Sequence, residues 1–232
     1  MSAVGSGIGD WGLGIGYVTL RKRFRAVALS ISSDDGIVGD AVGGMKDAQR
    51  FGEHDHLITG DELAQMPDPG LCELVDGRIV PMSPTNPEHG RIEGNIAAEL
   101  HRVARAQNLG LVMTGEVGIF TRWGPDRVRG ADVLFISHAR YERRTKGRGF
   151  LDVAPELVVE ILSPENAHID MMQKVREYLD VGVLLVLVVD PPSRSVTAYR
   201  PASSPQRYAE GEAVPCDDVL PGFALPVATA FE

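Results

Sequence analysis

The apolar positions of the chain fall into short runs separated by polar or Gly/Pro-rich breaks. Their spacing predicts which runs are strands and which are helices. Thr59-Gly60-Asp61-Glu62 has the form of a helix cap with an acidic first turn, which predicts a short helix over Thr59–Gln65. Cys72–Val75 and Arg78–Met82 flank Asp76-Gly77, a favoured pair for a two-residue hairpin turn. From Pro87 to Asn108, Ile92, Ile96, Leu100 and Val103 recur at three- and four-residue steps, a helical stripe with Arg91, Arg102 and Arg105 outside it. Gly110 follows as a stop. Leu111–Thr121 reads as a strand, Trp123–Arg127 as a turn, and Arg129–Ser137 as a second strand. Pro155–Pro164, PELVVEILSP, is an apolar β-branched run bounded by proline, the pattern of a strand buried on both faces. Asn166 then caps a predicted helix from Ala167 to Val181 that buries Met171, Met172, Val175, Tyr178 and Leu179. Leu184–Val189 is another buried strand and Ser195–Tyr199 its hairpin partner. The stretch from Pro201 reads as a Pro- and Ser-rich tail before the apolar piece Gly222–Val227.

This order of hairpin, helix, three strands, helix and two strands predicts an α/β or α+β domain with a central mixed sheet flanked by helices. The first fifty residues lack such periodicity and are crowded with glycine, so a flexible extension is expected there, with a single domain over residues 51–232. Gly7–Gly12 matches GxGxxG, but no strand precedes it and more glycines follow, so it is read as a chance match. His54-Asp55-His56 sits in a polar loop, where neighbouring positions seldom converge on one ion, and is read as a solvated loop.

Two acids break the apolar pattern. Glu160 lies within the Pro155–Pro164 run, on the same face as Val158 and Leu162, and Asp132 shares a face with Leu134 and Ile136. A carboxylate in an apolar interior has to be paired, protonated or bound to a cation. Either each acid pairs with an arginine, such as Arg129 or Arg176, or the two share a metal ion. On neighbouring strands the two carboxylates would lie about 5 Å apart, which favours a shared cation with oxygen ligands, Mg²⁺ or Mn²⁺. Glu99 also falls within a helical stripe, and pairing with a neighbouring arginine is expected. His89, in the first turn of the same helix, is read as a capping or surface residue.

A net charge of -9 weighs against a general polyanion binder. It leaves room for a local basic patch, and Arg140, Arg143, Arg144, Lys146 and Arg148 form one, opposed only by Glu142. The two cysteines, Cys72 and Cys216, lie far apart, which suggests a reduced, cytoplasmic chain. No apolar run reaches the ~18 residues of a membrane span, and the N-terminus lacks the pattern of a secretion signal.

The segments Glu73–Gly77 (ELVDG), Arg129–Asp132 (RGAD), Pro155–Pro164, Lys174–Tyr178 (KVREY) and Val188–Pro191 (VVDP), in this order and spacing, resemble the Uma2 family. That family is described as part of the PD-(D/E)XK nuclease superfamily, with a restriction-endonuclease-like core. The resemblance covers roughly Leu71 to Arg200. It implies that Asp132 is the aspartate of the PD motif and Glu160 the acid of the (D/E)XK motif, together holding Mg²⁺ or Mn²⁺ for phosphodiester hydrolysis of DNA. The motif's lysine position is occupied by Leu162, and Lys174, on the following helix, is the substitute expected to act with Asp132 and Glu160. Glu73 is a candidate further metal ligand, and the Arg140–Arg148 loop a candidate DNA contact. A catalytically inactive nuclease-fold module that binds nucleic acid or a partner protein is the alternative, and a homodimer is left open.

Overall fold

The computed structural model describes residues 56–145, 147, 149–163 and 168–232. The expected extension over residues 1–50, the GxGxxG match, His54, Asp55 and Asn166 lie outside these residues.

Thr59 starts the first element. Its hydroxyl accepts from Glu62 N at 3.2 Å while Glu62 Oε2 accepts from Thr59 N at 2.7 Å, a reciprocal capping box that opens α1 (Gly60–Gln65). Asp76 and Gly77 both have left-handed φ, 54° and 74°, as a two-residue turn between twisted strands requires. They join β1 (Cys72–Val75) to β2 (Arg78–Pro81). Asn86 caps α2 (Pro87–Ala106), with proline in the first turn where its missing N–H costs little. Glu99 pairs with Arg102 on this helix at 2.6 Å, as expected.

Next come β3 (Gly110–Arg122), β4 (Arg127–Ser137), the single turn α3 (His138–Tyr141), β5 (Leu157–Ile161) and α4 (His168–Asp180). β6 (Leu185–Asp190) and β7 (Ser195–Tyr199) form the predicted hairpin. One eight-stranded sheet results, in the order β2-β1-β4-β5-β6-β7 and then β8 (Gln206–Ala209), with β3 added beside β4. β5 and β6 are parallel and their neighbours antiparallel, so the sheet is mixed, as expected.

Period-two alternation sorts the strand residues onto two faces. Val133, Phe135, Val159 and Leu187 pack against the Ile92, Ile96 and Leu100 stripe of α2. Leu134, Val158, Val186 and Val188 pack against Met171, Val175 and Tyr178 of α4. The C-terminal stretch differs from its reading as a tail. After β8 it forms a hairpin of β9 (Ala213–Pro215) and β10 (Ala224–Pro226), then the turn α5 (Val227–Ala230). Val214, Cys216, Leu220, Leu225 and Val227 are fully buried in the α2-side core. Their apolar side chains are scattered without period, so only their packing reveals the role.

Leu225→Ala is therefore expected to cost about 2–5 kcal/mol, as truncation of a core leucine does, measured by urea unfolding. A loss below about 1 kcal/mol would make this segment peripheral to the core.

Candidate active site

β4 has two edges. β3 runs along one of them from Arg122↔Arg127 to Gly110↔Ser137. The other is shared, with β1 pairing at Leu74↔Val128 and β5 at Val133↔Val159 through Phe135↔Leu157. Between Val128 and Val133 this second edge has no strand partner among the described residues, and side chains fill the gap. Gly130 N–H donates to Glu73 Oε1 at 3.0 Å, and Gly130 C=O accepts from Lys174 Nζ at 3.0 Å and faces Tyr178 Oη at 3.2 Å. Asp132 Oδ2 reaches across to accept from Ile161 N at 2.6 Å.

A cleft of about 570 Å³ opens over this gap, and Asp132, Glu160, Glu73 and Lys174 all line it. Glu160, at the end of β5, accepts from Lys174 Nζ at 2.9 Å and from Tyr178 Oη at 2.8 Å. Lys174 also contacts Glu73 Oε1 at 3.1 Å. Arg129 bonds Glu73 at 2.7 Å and Glu177 at 2.7 Å rather than either embedded acid.

Two further residues of the cleft escaped the sequence reading. His89, read there as a cap or surface residue, is buried, with Nε2 3.3 Å from Asp132 Oδ2 and Nδ1 lacking any hydrogen-bond partner among the described residues. It sits three positions before Ile92, on the same buried stripe of α2, and that spacing is the signal that could have found it. Glu116 comes from a β-bulge in β3. Thr114 pairs with Val133 and Val117 with Ala131, so Gly115 and Glu116 together oppose Asp132. Both bulge residues have left-handed φ, 86° and 59°, and Gly115 N–H is held by Glu93 of α2 at 3.1 Å. Glu116 then lies over Gly130, where an added Cβ would meet its Oε2 at 2.7 Å.

Electrostatics follow from this crowding. Burial pushes the Glu160 carboxyl up to about 8; the Lys174 ammonium opposes that rise and the Asp132 charge adds to it. Burial and the Asp132 charge push Glu116 up to about 7. The hydrogen bond to Asp132 holds His89 above its usual value against burial. Burial alone would lower the Lys174 ammonium, but Glu160 and Glu73 outweigh it and hold it above its usual value.

Of the basic loop, Arg140, Arg143 and Arg144 do not line the cleft. Arg140, expected among the phosphate-binding residues, has its guanidinium engaged within the chain. Its guanidinium donates to Ala154 O, Pro155 O and Gly182 O at 2.9–3.1 Å and pairs with Glu156, tying the start of β5 to the loop after α4. Arg144 stacks 3.7 Å over the Tyr141 ring and Arg143 is exposed. Lys146 and Arg148 lie outside the described residues.

These shifts set a pH dependence. A carboxyl or imidazole whose folded pKa is raised keeps its proton longer in the folded state, so its contribution is lost as pH rises through that value. For Glu160 the window runs from about 4.5 to about 8, and Glu116 and His89 act in the same direction. In chelator, thermal stability is expected to fall across this window by an amount on the order of a few kcal/mol, and Glu160→Gln to flatten the fall. Stability that rises over the same range in differential scanning calorimetry would contradict the assignment.

Comparison with known proteins agrees with this architecture. No curated protein matches the chain. Solved structures do, among them that of a "putative nuclease belonging to DUF820" from Anabaena variabilis ATCC 29413. It is 20% identical, with a TM-score of 0.64 over 75% of this chain and 97% of that one, and shares the nuclease-like α+β fold. The model of the Uma2 family, described as "Putative restriction endonuclease", matches residues 61–228. That span takes in the whole gap in β4 and every residue that fills it, and the chain belongs to the Uma2 family.

Proposed function

We propose that this chain is a metal-dependent endonuclease that hydrolyses phosphodiester bonds of DNA, with Asp132 and Glu160 as the ligands of Mg²⁺ or Mn²⁺. The observation that carries this reading is the convergence of both embedded acids and Lys174 on one cleft. Among the described residues five carboxyl groups line it, those of Glu73, Glu116, Asp132, Glu160 and Asp170, against two permanent cations, Arg129 and Lys174. A carboxylate-rich donor set with excess negative charge suits a small hard divalent ion. Among the described residues no group of three or more His, Cys, Asp or Glu side chains is gathered to hold an ion. Mg²⁺ ordinarily takes one or two carboxylates and completes its shell with water and substrate oxygens, so Asp132 and Glu160 suffice.

When bound, such an ion polarises the scissile phosphate and lowers the pKa of a water. The chain's own residues prepare for it. Ile161 N–H and His89 hold Asp132 in one orientation. Lys174 keeps a positive charge beside Glu160, where it offsets charge that develops on the phosphate. The Leu162 slot packs against the α4-side core, so the cation is supplied from α4. The second reading is an inactive nuclease-fold module that binds nucleic acid or a partner protein. It is favoured by Leu162 in the lysine slot and by the full engagement of Lys174.

Asp132→Asn and Glu160→Gln are each expected to abolish Mg²⁺- or Mn²⁺-dependent cleavage of plasmid DNA while circular dichroism stays native. Lys174→Ala should slow turnover about 10²–10³-fold, the usual loss for one charge-stabilising group. Wild type that cleaves neither plasmid nor single-stranded DNA with either metal would shift the assignment to the binding module.

The loop makes a separate prediction. Changing Arg143, Arg144 and Lys146 together to alanine is expected to weaken binding to all DNA sequences alike. It should also flatten the salt dependence by roughly one unit of slope per lost phosphate contact. An unchanged slope in fluorescence anisotropy titrations would leave the loop as solvated surface.

A further inference from the structure

We infer that Glu73 is a positioning residue that fixes Lys174 beside Glu160, and not a metal ligand. The inference rests on the reading of Lys174 as the cation that serves this site. Glu73 lies between two cations, Arg129 and Lys174. Oε1 accepts from Gly130 N at 3.0 Å and forms an ion pair with Lys174 Nζ at 3.1 Å, and Oε2 accepts from Arg129 Nη1 at 2.7 Å. A divalent ion at this carboxylate would have to sit against a guanidinium and an ammonium, and like charges at such separations repel strongly.

Arg129 is itself locked. Its Nε and Nη2 donate to Glu177 Oε2 and Oε1 at 2.7 and 3.1 Å, so its planar fork spans two carboxylates. Glu177 accepts in turn from Gln173 at 2.9 Å and pairs with Arg127. Glu73, Arg129 and Glu177 are all buried, so solvent screens these contacts little.

The far end of the chain of contacts is Lys174. Its ammonium donates to Gly130 O at 3.0 Å and Glu160 Oε2 at 2.9 Å and is paired with Glu73 Oε1 at 3.1 Å. Three oxygens define one position for a group on a four-carbon stem. Removing the charge of Glu73 removes one of them as an ionic partner and lets the ammonium drift from Glu160.

The test uses the full chain. It contains four lysines, Lys22, Lys46, Lys146 and Lys174, so the ¹⁵N-ammonium NMR spectrum is simple. The protected Lys174 signal is assigned by its disappearance in Lys174→Arg. In Glu73→Gln the signal is expected to broaden beyond detection. The Kd for Mg²⁺ by calorimetry should stay within about twofold of wild type, because ligation by Asp132 and Glu160 is intact. The kcat should fall about 10–100-fold at unchanged KM, as for loss of an interaction felt only in the transition state. Arg129 keeps Glu177 in this variant, which protects the fold. If it nevertheless fails to fold, Glu73→Asp withdraws the carboxylate by one methylene at constant charge, and the same three readouts apply. A tenfold or greater loss of Mg²⁺ affinity would make Glu73 a ligand, and an undisturbed Lys174 signal would remove its positioning role. Wild type that binds no Mg²⁺ ends the nuclease reading instead, and the ammonium signal alone then decides the contact.

Discussion

The site exists because β4 loses its strand partner on one edge between Val128 and Val133. Buried backbone groups have to be hydrogen-bonded, and here the donors and acceptors come from side chains. Glu73 takes the Gly130 N–H, while Lys174 and Tyr178 face its carbonyl. Asp132 closes the gap from the other side by accepting from Ile161 N. Splayed strands elsewhere in a sheet would admit water. In this protein the same space holds the charged groups, which are thereby fixed to the backbone they complete.

Charge balance decides how those groups rest. Taking carboxylates out of water is costly unless cations or protons accompany them. On one side of Arg129 the balance is complete: Glu177 lies between Arg127 and Arg129, which hold its carboxyl below the usual range although burial would raise it. On the other side it is not. Asp132 and Glu116 share the bulge with His89, and burial drives Glu116 towards its protonated form. The excess of negative charge lies on this side, and burial favours the protonated forms of Glu116 and Glu160.

Leu162 and Lys174 stand on different elements, and only Lys174 reaches the buried carboxylate of Glu160. Leu162 lies two residues beyond Glu160, at the end of the strand, and packs with the α4-side core. Lys174 stands on α4, between Met171 and Tyr178 of that core, and its ammonium meets Glu160 at 2.9 Å. The β1–β2 hairpin reaches the same ammonium across the gap through Glu73, at 3.1 Å.

Much of this was legible in the residues themselves, for reasons of local physics. The Asp76-Gly77 turn, the Thr59 cap and the α2 stripe depend on neighbours within four positions, so their pattern is written in the chain. Asp132 and Glu160 were legible because each violates an otherwise apolar strand. Tertiary structure decided the rest. The bulge that aims Glu116 at Asp132 is a mismatch of register between two strands, and a mismatch has no period within either one. His89 carried a helical spacing but acquired its partner from a strand more than forty residues away. The stretch after Pro201 joined the core through single side chains spaced irregularly, where only packing supplies the order. Periodicity reveals what a residue does within its own element; the partner that gives a buried charge its role is chosen by the fold that brings distant elements together.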